Sequence, residues 1–189
     1  MKLIVGISGA SGVEMGFRLL DVLKKMSDVE THLVMTHGAV KTFELETDIS
    51  IDRIKSTADH FYDVDNLAAT ISSGSFKIDG MIVIPCSMKT LAGIACGFSE
   101  NLLLRAADVC LKERRKLILV PRETPLNRIH LQNLLTVHDA GAMIFPPVLT
   151  FYNRTKNDAG TVSEQIDHLL GKILRQFGID YDKFKPWTG

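Results

Sequence analysis

The chain has 189 residues, 46% hydrophobic and 23% charged, with 22 Lys plus Arg balanced by 22 Asp plus Glu. This composition suits one domain with a sizeable core and excludes a disordered chain, and the zero net charge removes any general pull towards nucleic acid or an anionic membrane. Three cysteines, Cys86, Cys96 and Cys110, are odd in number and lack CxxC spacing, which excludes a disulfide framework or a cysteine zinc site and reads as three buried thiols.

The first element is the apolar run of residues 3–7, followed by a turn of Gly6, Gly9 and Gly12 with Ser8 and Ser11 between them. Val13, Phe17, Leu20 and Leu23 then recur at helical spacing, so the turn joins a strand to a helix. Small residues there admit a ligand close to the backbone, and the helix start offers free N–H groups suited to a phosphate. The plainer alternative is a tight turn in which Ser11 only caps the helix. The frame is GxxGxxG rather than GxGxxG, and the second strand, "ETHLVM", runs into Thr36 and His37 instead of an acidic residue. NAD is therefore disfavoured. No GxxxxGK[ST] occurs, which removes a nucleoside-triphosphate loop, while a mononucleotide such as FMN stays open.

The second strand covers residues 31–35 and a helix follows through "GAVKTFELET". Residues 48–75 carry a short helix near "DRIKSTAD" and a Ser/Gly-rich loop, and then "GMIVIP" reads as a central parallel strand covered on both faces. Next come "CSMKTLAGIACG", the helix "NLLLRAADVCLKERR", the strand "KLILVP", the mostly helical "RETPLNRIHLQNLLTVHDAG" and a last strand, "AMIFPP". A loop leads to a C-terminal helix over about residues 162–177, ended by Gly178, and a tail over about 178–189 carries the only tryptophan, Trp187. Strands alternating with helices predict an α/β fold, a doubly wound, mostly parallel sheet in a three-layer sandwich. No segment is apolar enough to span a bilayer and the first residues enter a strand without a leader, so a cytoplasmic location is expected.

In such a sheet ligands bind beyond the carboxyl ends of the strands. The residues there are Gly9, Ala10, Ser11 and Gly12, then Thr36 and His37, then Cys86, Ser87, Met88, Lys89 and Thr90, and finally Arg122 and Glu123. Hydroxyls, helix-start amides and cations on one edge suit a phosphate and the polar rim of a flat heterocycle. The plainer readings are an N-cap at Ser87 and a surface ion pair of Arg122 with Glu123. Arg105, Asp108 and Lys112 share a helical stripe, either a solvated ion-pair ladder or two cations around one carboxylate. Glu46 stands at a helix end where a carboxylate is unfavourable. The six histidines show no metal-ligand spacing, and no metal is assigned.

Together, "GISGASG", "SSGSF", "IVIPCSMKTLAGIACG", "LLLRAADVCLKERRKLILVPRETPL" and "IHLQNLL" resemble the UbiX family of flavin prenyltransferases, closest to the branch that forms the B component of bacterial hydroxybenzoate or phenolic acid decarboxylases. The resemblance implies a flavodoxin-like or Rossmann-like fold over one flavoprotein domain, residues 1–189. It also implies FMN binding and metal-independent transfer of a dimethylallyl group from dimethylallyl phosphate to reduced FMN, forming a ring between N5 and C6. The product, prenylated FMN, would serve a UbiD-type decarboxylase, and the protein would assemble as a homododecamer. Carried over by position, the FMN site is Gly9, Ala10, Ser11, Thr36, Ser87, Met88, Lys89, Thr90 and Arg122. Dimethylallyl phosphate would meet Arg105, Lys112, Arg122, Glu123, Tyr152 and Lys172, with Ser11, Glu46, Lys112 and Glu123 as the catalytic set and Trp187 as an aromatic wall. Fixed cations would take up charge on the departing phosphate, and Glu123 would orient it or exchange its proton.

Two departures from the family pattern stand out. Thr36 and His37 replace the usual Ser-Lys, which keeps a hydroxyl and loses a charge at neutral pH. The stretch "NRTKNDAGTVSE" is longer than in relatives, and the basic residue of the last helix is Lys172, a point charge rather than a fork. An alternative within the superfamily is a flavin-dependent cysteine-type decarboxylase, but neither its catalytic His nor its PxMNxxMW motif is found. A flavin electron carrier is disfavoured by the absence of a strongly acidic surface charge. Direct decarboxylation of phenolic acids reads as a consequence of supplying the cofactor to a partner.

Overall fold

The computed structural model describes residues 1–152 and 161–187, so the part of the lengthened loop at 153–160 lies outside the described residues. The chain divides into two compact units, Met1–Pro146 and Pro147–Gly189.

The first unit is built on six parallel strands: β1 (Lys2–Ile7), β2 (Glu30–Met35), β3 (His60–Tyr62), β4 (Gly80–Cys86), β5 (Lys116–Pro121) and β6 (Met143–Ile144). They lie in the order β3-β2-β1-β4-β5-β6, so the sheet is doubly wound and its direction of growth reverses between β1 and β4. β4 is buried at all seven positions and β1 at five of six, as parallel strands covered on both faces must be. The helices of this unit are α1 (Glu14–Leu23), α2 (His37–Glu46), α3 (Ile51–Thr57), α4 (Met88–Ala95), α5 (Leu102–Lys112) and α6 (Arg128–Asp139). α1 buries Phe17, Leu19, Leu20 and Leu23 and packs on β1, β4 and α3. On the other face α5 packs on β2, β4 and β5, and its Leu103, Ala106, Ala107 and Cys110 join Ile4, Met81, Val83 and Leu117 in one apolar cluster.

The elements begin where short polar side chains can stand in for missing backbone partners. Thr36, Ser87 and Asn101 accept from Ala39, Thr90 and Leu104 N–H at 3.1, 3.3 and 3.0 Å, capping α2, α4 and α5. Each such cap contributes about 1 kcal/mol. β3 was not expected from the sequence. It is a three-residue edge strand, too short for a period to show, and pairs with β2 through His32–His60, Leu33–Phe61 and Val34–Tyr62.

The second unit contains α7 (Val162–Arg175), opened by a Thr161–Glu164 capping box in which the two residues satisfy each other's backbone N–H. Gly178, at φ +72°, turns the chain after it, and Ile179 N–H closes on Leu174 O. No helix among the described residues is long and apolar enough to cross a membrane.

Cys86 and Cys110 are buried, but Cys96 is exposed, which corrects the expectation of three buried thiols. It follows the last turn of α4, where the chain leaves the core. Burial pushes both inner thiols up to about 12, far from nucleophilic thiolates at neutral pH. A thiol reagent applied to the native protein near pH 7 is expected to label Cys96 alone, with Cys86 and Cys110 reacting only after unfolding. Peptide mapping that found Cys86 labelled at a similar rate would contradict this burial.

Candidate functional site at the sheet switch point

The crevice opens where β1 and β4 part, and Ser8 holds its floor. Ser8 is fully buried; its N–H and Oγ–H both reach Pro85 O, at 3.2 and 3.0 Å, and its Oγ accepts Ser87 N–H at 2.7 Å. Pro85 has no N–H of its own, and the β4–β5 register shifts between Val83 and Cys86. Ser8 therefore ties the end of β1 to the end of β4 beyond the last register pair of their ladder, Gly6 with Val83.

A second close approach sets the wall. A Cβ on Gly9 would lie 2.7 Å from the carbonyl carbon of Gly38, backbone against backbone, so the turn after β1 touches the start of α2 only because Gly9 lacks a side chain. Around this contact lies a cleft of about 240 Å³ lined by Gly9, Thr36, His37, Ser87, Lys89 and Thr90, with Asn101 and Leu104 of α5 and with Val64 and Asp65 after β3. Helix α4 opens into it with Ser87 as its cap, the plain reading of that residue, while Ser87 Oγ–H donates to Thr90 Oγ1 at 3.1 Å. Lys89 is exposed and makes no ion pair among the described residues. The starts of α2 and α4 thus bring two positive dipole ends and one ammonium to the same cleft, an anion site by construction.

The turn after β1 is arranged differently from expectation. α1 begins at Glu14 with Val13 as its N-cap and no side-chain cap, so Ser11 does not cap it. Gly12, at φ +92°, donates its N–H to Glu46 Oε2 at 2.8 Å. The carboxylate that looked misplaced at the end of α2 reaches across to this turn, and the protein's own anion occupies the amide that the sequence offered to a phosphate. The helix starts that face the cleft are those of α2 and α4. Ala10 and Ser11 are half-buried beside this turn.

At the end of β5, Arg122 and Glu123 are both exposed. They do not form the surface pair that the plainer reading predicted: Glu123 Oε1 accepts Thr124 N–H at 3.0 Å, and Arg122 N–H donates to Cys86 O at 3.2 Å. His37 Nε2 stands 2.9 Å from Asp65 Oδ2, so the residue that replaces the family's lysine meets a carboxylate on the cleft wall.

The stripe on α5 does not surround one carboxylate. Arg105 Nη1 binds Asp108 Oδ2 at 2.6 Å and its Nε–H donates to Ser72 O, whereas Lys112 pairs with Glu113. Since α5 runs from the cleft back to the start of β5, Lys112 lies by Gly74, at the amino end of the sheet. With a strand rise of about 3.3 Å per residue, that is roughly 20 Å from Ser87. The amphipathic pattern could reveal the stripe, but not which end of the sheet each member would face.

In the second unit, Tyr152 Oη lies 3.0 Å from His168 Nε2, the Lys172 ammonium stands 5.8 Å from the Tyr152 ring centroid, and Trp187 meets that ring edge-on at 5.6 Å. Tyr152, Lys172 and Trp187 therefore form one aromatic and cationic group. Ser8 was read only as one of the small residues of the first turn, and Gly38, Val64, Asp65 and Asn101 were not anticipated; of these four only Asn101, a cap residue just before a helical apolar run, carried a local signal.

The comparisons with known proteins agree with this architecture. The Flavoprotein family matches residues 1–177. A probable UbiX-like flavin prenyltransferase of Sedimentibacter hydroxybenzoicus is 58% identical over 189 residues, covering 100% of this chain and 98% of that protein. The dodecameric FMN-dependent UbiX-like decarboxylase from Escherichia coli O157:H7 superposes with a TM-score of 0.96 at 50% identity, covering both chains completely. AnUbiX (PadA1), solved in complex with FMN and dimethylallyl pyrophosphate, superposes with a TM-score of 0.95 at 47% identity, over 100% of this chain and 97% of that one. FMN-dependent cysteine decarboxylases match at 16% and 17% identity, a likeness of fold alone. The fold and crevice are those of a flavoprotein, and the chain belongs to the UbiX-like flavin prenyltransferases of that family.

Replacing Gly9 by Ala forces the turn away from Gly38, and overpacking of this kind costs about 1–3 kcal/mol. The variant is expected to keep its secondary structure by circular dichroism while its affinity for FMN, measured by fluorescence quenching, falls about tenfold or more. Unchanged affinity would show that the Gly9–Gly38 contact does not shape the flavin site.

Proposed function

We propose that this protein transfers the dimethylallyl group of dimethylallyl phosphate to reduced FMN, giving the prenylated FMN used by a UbiD-type decarboxylase. The observation that carries the reading is the cleft at the switch point, where two helix starts, Lys89 and the hydroxyls of Thr36 and Thr90 converge beside a glycine contact that leaves room for a ligand. Its volume, about 240 Å³, falls below the roughly 300 Å³ at the small end of whole-ligand pockets, so within one chain it suits the phosphate and polyol end of a mononucleotide. The flavin, when bound, supplies the nucleophilic N5 and C6.

The roles are those that the family pattern implies for these positions. Thr36, Ser87, Met88, Lys89 and Thr90 would hold the FMN phosphate through N–H groups, hydroxyls and the ammonium. Gly9, Ala10 and Ser11 would let the ring lie against the turn, with Glu46 fixed at its edge by the Gly12 N–H. Arg122 would accept charge from the departing phosphate, and Glu123 would exchange a proton with it. Tyr152 and Lys172 keep the prenyl-phosphate role that the family pattern gives them, supported by their own juxtaposition. Arg105 follows Leu104 of the cleft lining, whereas the distance of Lys112 from the cleft means that its proposed role requires a neighbouring copy. Assembly as a homododecamer, as in the Escherichia coli O157:H7 relative, would supply one. The reading takes both units as one functional domain, because the family match crosses their boundary. The cytoplasmic location expected from the sequence belongs to the same proposal.

Purified protein incubated anaerobically with reduced FMN and dimethylallyl phosphate, without added magnesium, is expected to yield a flavin heavier by one five-carbon unit in mass spectrometry. A parallel sample with dimethylallyl pyrophosphate tests which donor is used. Unaltered flavin in both samples would overturn the prenyl-transfer reading. Restoration of decarboxylation in a flavin-free UbiD-type enzyme by the product is the expected test of the recipient.

Glu123→Gln is expected to bind FMN with unchanged affinity and to form product about 100-fold more slowly, the scale of a lost proton-transfer group. Single-turnover rates equal to those of the unmodified protein would remove Glu123 from the mechanism.

A further inference from the structure

Far from the crevice, the amino ends of β2 and β3 bring together three side chains whose positions in sequence give no hint of a common purpose. Glu30 and His32 alternate on β2 and share a face, and the parallel register sets His60 of β3 directly beside His32. The two imidazoles stack with centroids 4.8 Å apart at 16°, and the nearest donor atoms of Glu30, His32 and His60 all fall within 4.8 Å of one another.

His32 is the informative member. It is 1% exposed, its Nδ1 lies 3.0 Å from Tyr62 Oη, and Tyr62 Oη is in turn 3.2 Å from Thr70 Oγ1. Its Nε2 is buried without a hydrogen-bond partner. Glu30 Oε1 stands 3.2 Å from that nitrogen, yet off the line along which an N–H would donate. A buried ring nitrogen left unsatisfied beside a carboxylate is costly. An oxygen that shares a metal ion with an imidazole stands in just such an offset position, because the ion, not the oxygen, occupies the ring's lone-pair axis. In a tetrahedral site with bonds of about 2.0–2.1 Å, neighbouring donors are separated by about 3.3 Å. Glu30 Oε1 is 3.2 Å from His32 Nε2, off its hydrogen-bond line, and 3.1 Å from His60 Nε2, where it is hydrogen-bonded in a contact that an ion would replace. Ring nitrogens engaged on the far side by a hydroxyl or carbonyl are the usual support of such ligands, and Tyr62 fills that place.

We propose that Glu30, His32 and His60 form a site for a divalent metal ion of the zinc class, with water in the fourth position, that clips the edge strand β3 to β2. Two imidazoles and one carboxylate match that class of ion rather than magnesium or calcium, which favour all-oxygen sites. Lys2 now holds both oxygens of the carboxylate, its Nζ donating to Glu30 Oε1 at 3.3 Å and lying 3.1 Å from Oε2 and 5.2 Å from the Phe76 ring centroid. Its side chain is 42% exposed and His60 is half-exposed, so the ammonium can move into solvent and the outer imidazole can close on the ion. The site is roughly 16 Å along β2 from the crevice, at about 3.3 Å per residue. β3 leads directly into Val64 and Asp65 on the cleft wall, so the clip would firm that wall without taking part in the chemistry.

The test uses tag-free, metal-stripped full-length protein titrated with Co²⁺ and then Zn²⁺. A visible cobalt absorption saturating at one equivalent, its loss on adding Zn²⁺, and a zinc-dependent rise in melting temperature are expected. His60→Ala and Glu30→Gln, both at accessible positions and checked for folding by circular dichroism, are expected to lose the cobalt band and the melting shift. Tyr62→Phe should weaken binding roughly 10–100-fold. Lys2→Met should strengthen it by removing the competing ammonium, whereas a mere ion-pair network would gain no metal affinity from that change. Absence of cobalt absorption in the unmodified protein, or binding that persists undiminished in both His60→Ala and Glu30→Gln, would overturn the proposal.

Discussion

The approach of two backbones, at Gly9 and Gly38, governs the geometry of this protein more than any single side chain does. The turn after β1 and the start of α2 meet at a distance that admits no Cβ on Gly9, while Ser8 fastens the same turn to the end of β4 through Pro85 and Ser87. With three strand ends thus held together, the first turns of α2 and α4 have to face one space. The anion-binding character of the cleft follows from that packing: helix dipoles and free N–H groups are fixed charges that need no ordering when a ligand arrives.

Glu46 shows how charge is distributed within this frame. Its carboxylate takes the Gly12 N–H, so the turn after β1 carries an internal anion and the starts of α2 and α4 are left for a phosphate. The basic side chains are placed quite differently from one another. Lys89 stands in the cleft without an ion-pair partner among the described residues, His37 faces Asp65, and Lys112 is drawn to Glu113 at the far end of α5. A charge balance of zero over the whole chain therefore conceals a strongly local arrangement.

The central part of the fold was legible because it rests on short-range pattern. The apolar runs that became β1, β4 and β5, and the cap residues Thr36, Ser87 and Asn101, follow from side-chain period and backbone hydrogen bonding within a few residues. The edge was harder to read: β3 has three residues, too few for alternation to stand out. Ser11 looked like a cap because of its place before a helix, yet the helix begins later, at Glu14, once Gly12 has turned the chain. Cys96 looked buried by residue type alone, while the end of α4 carries it outward.

By itself the sequence determined the alternation of strand and helix, the small residues after β1, the cluster of polar residues after each strand and the family to which they belong. Only the tertiary structure decided that Glu46 answers Gly12, that Lys112 stands away from the crevice, and that His32 lies beside His60 with an unsatisfied nitrogen between them and Glu30. The reason is one of range. Side-chain period and capping act over a few residues along the chain, whereas these pairings depend on strand register and helix direction, which exist only once the sheet has formed.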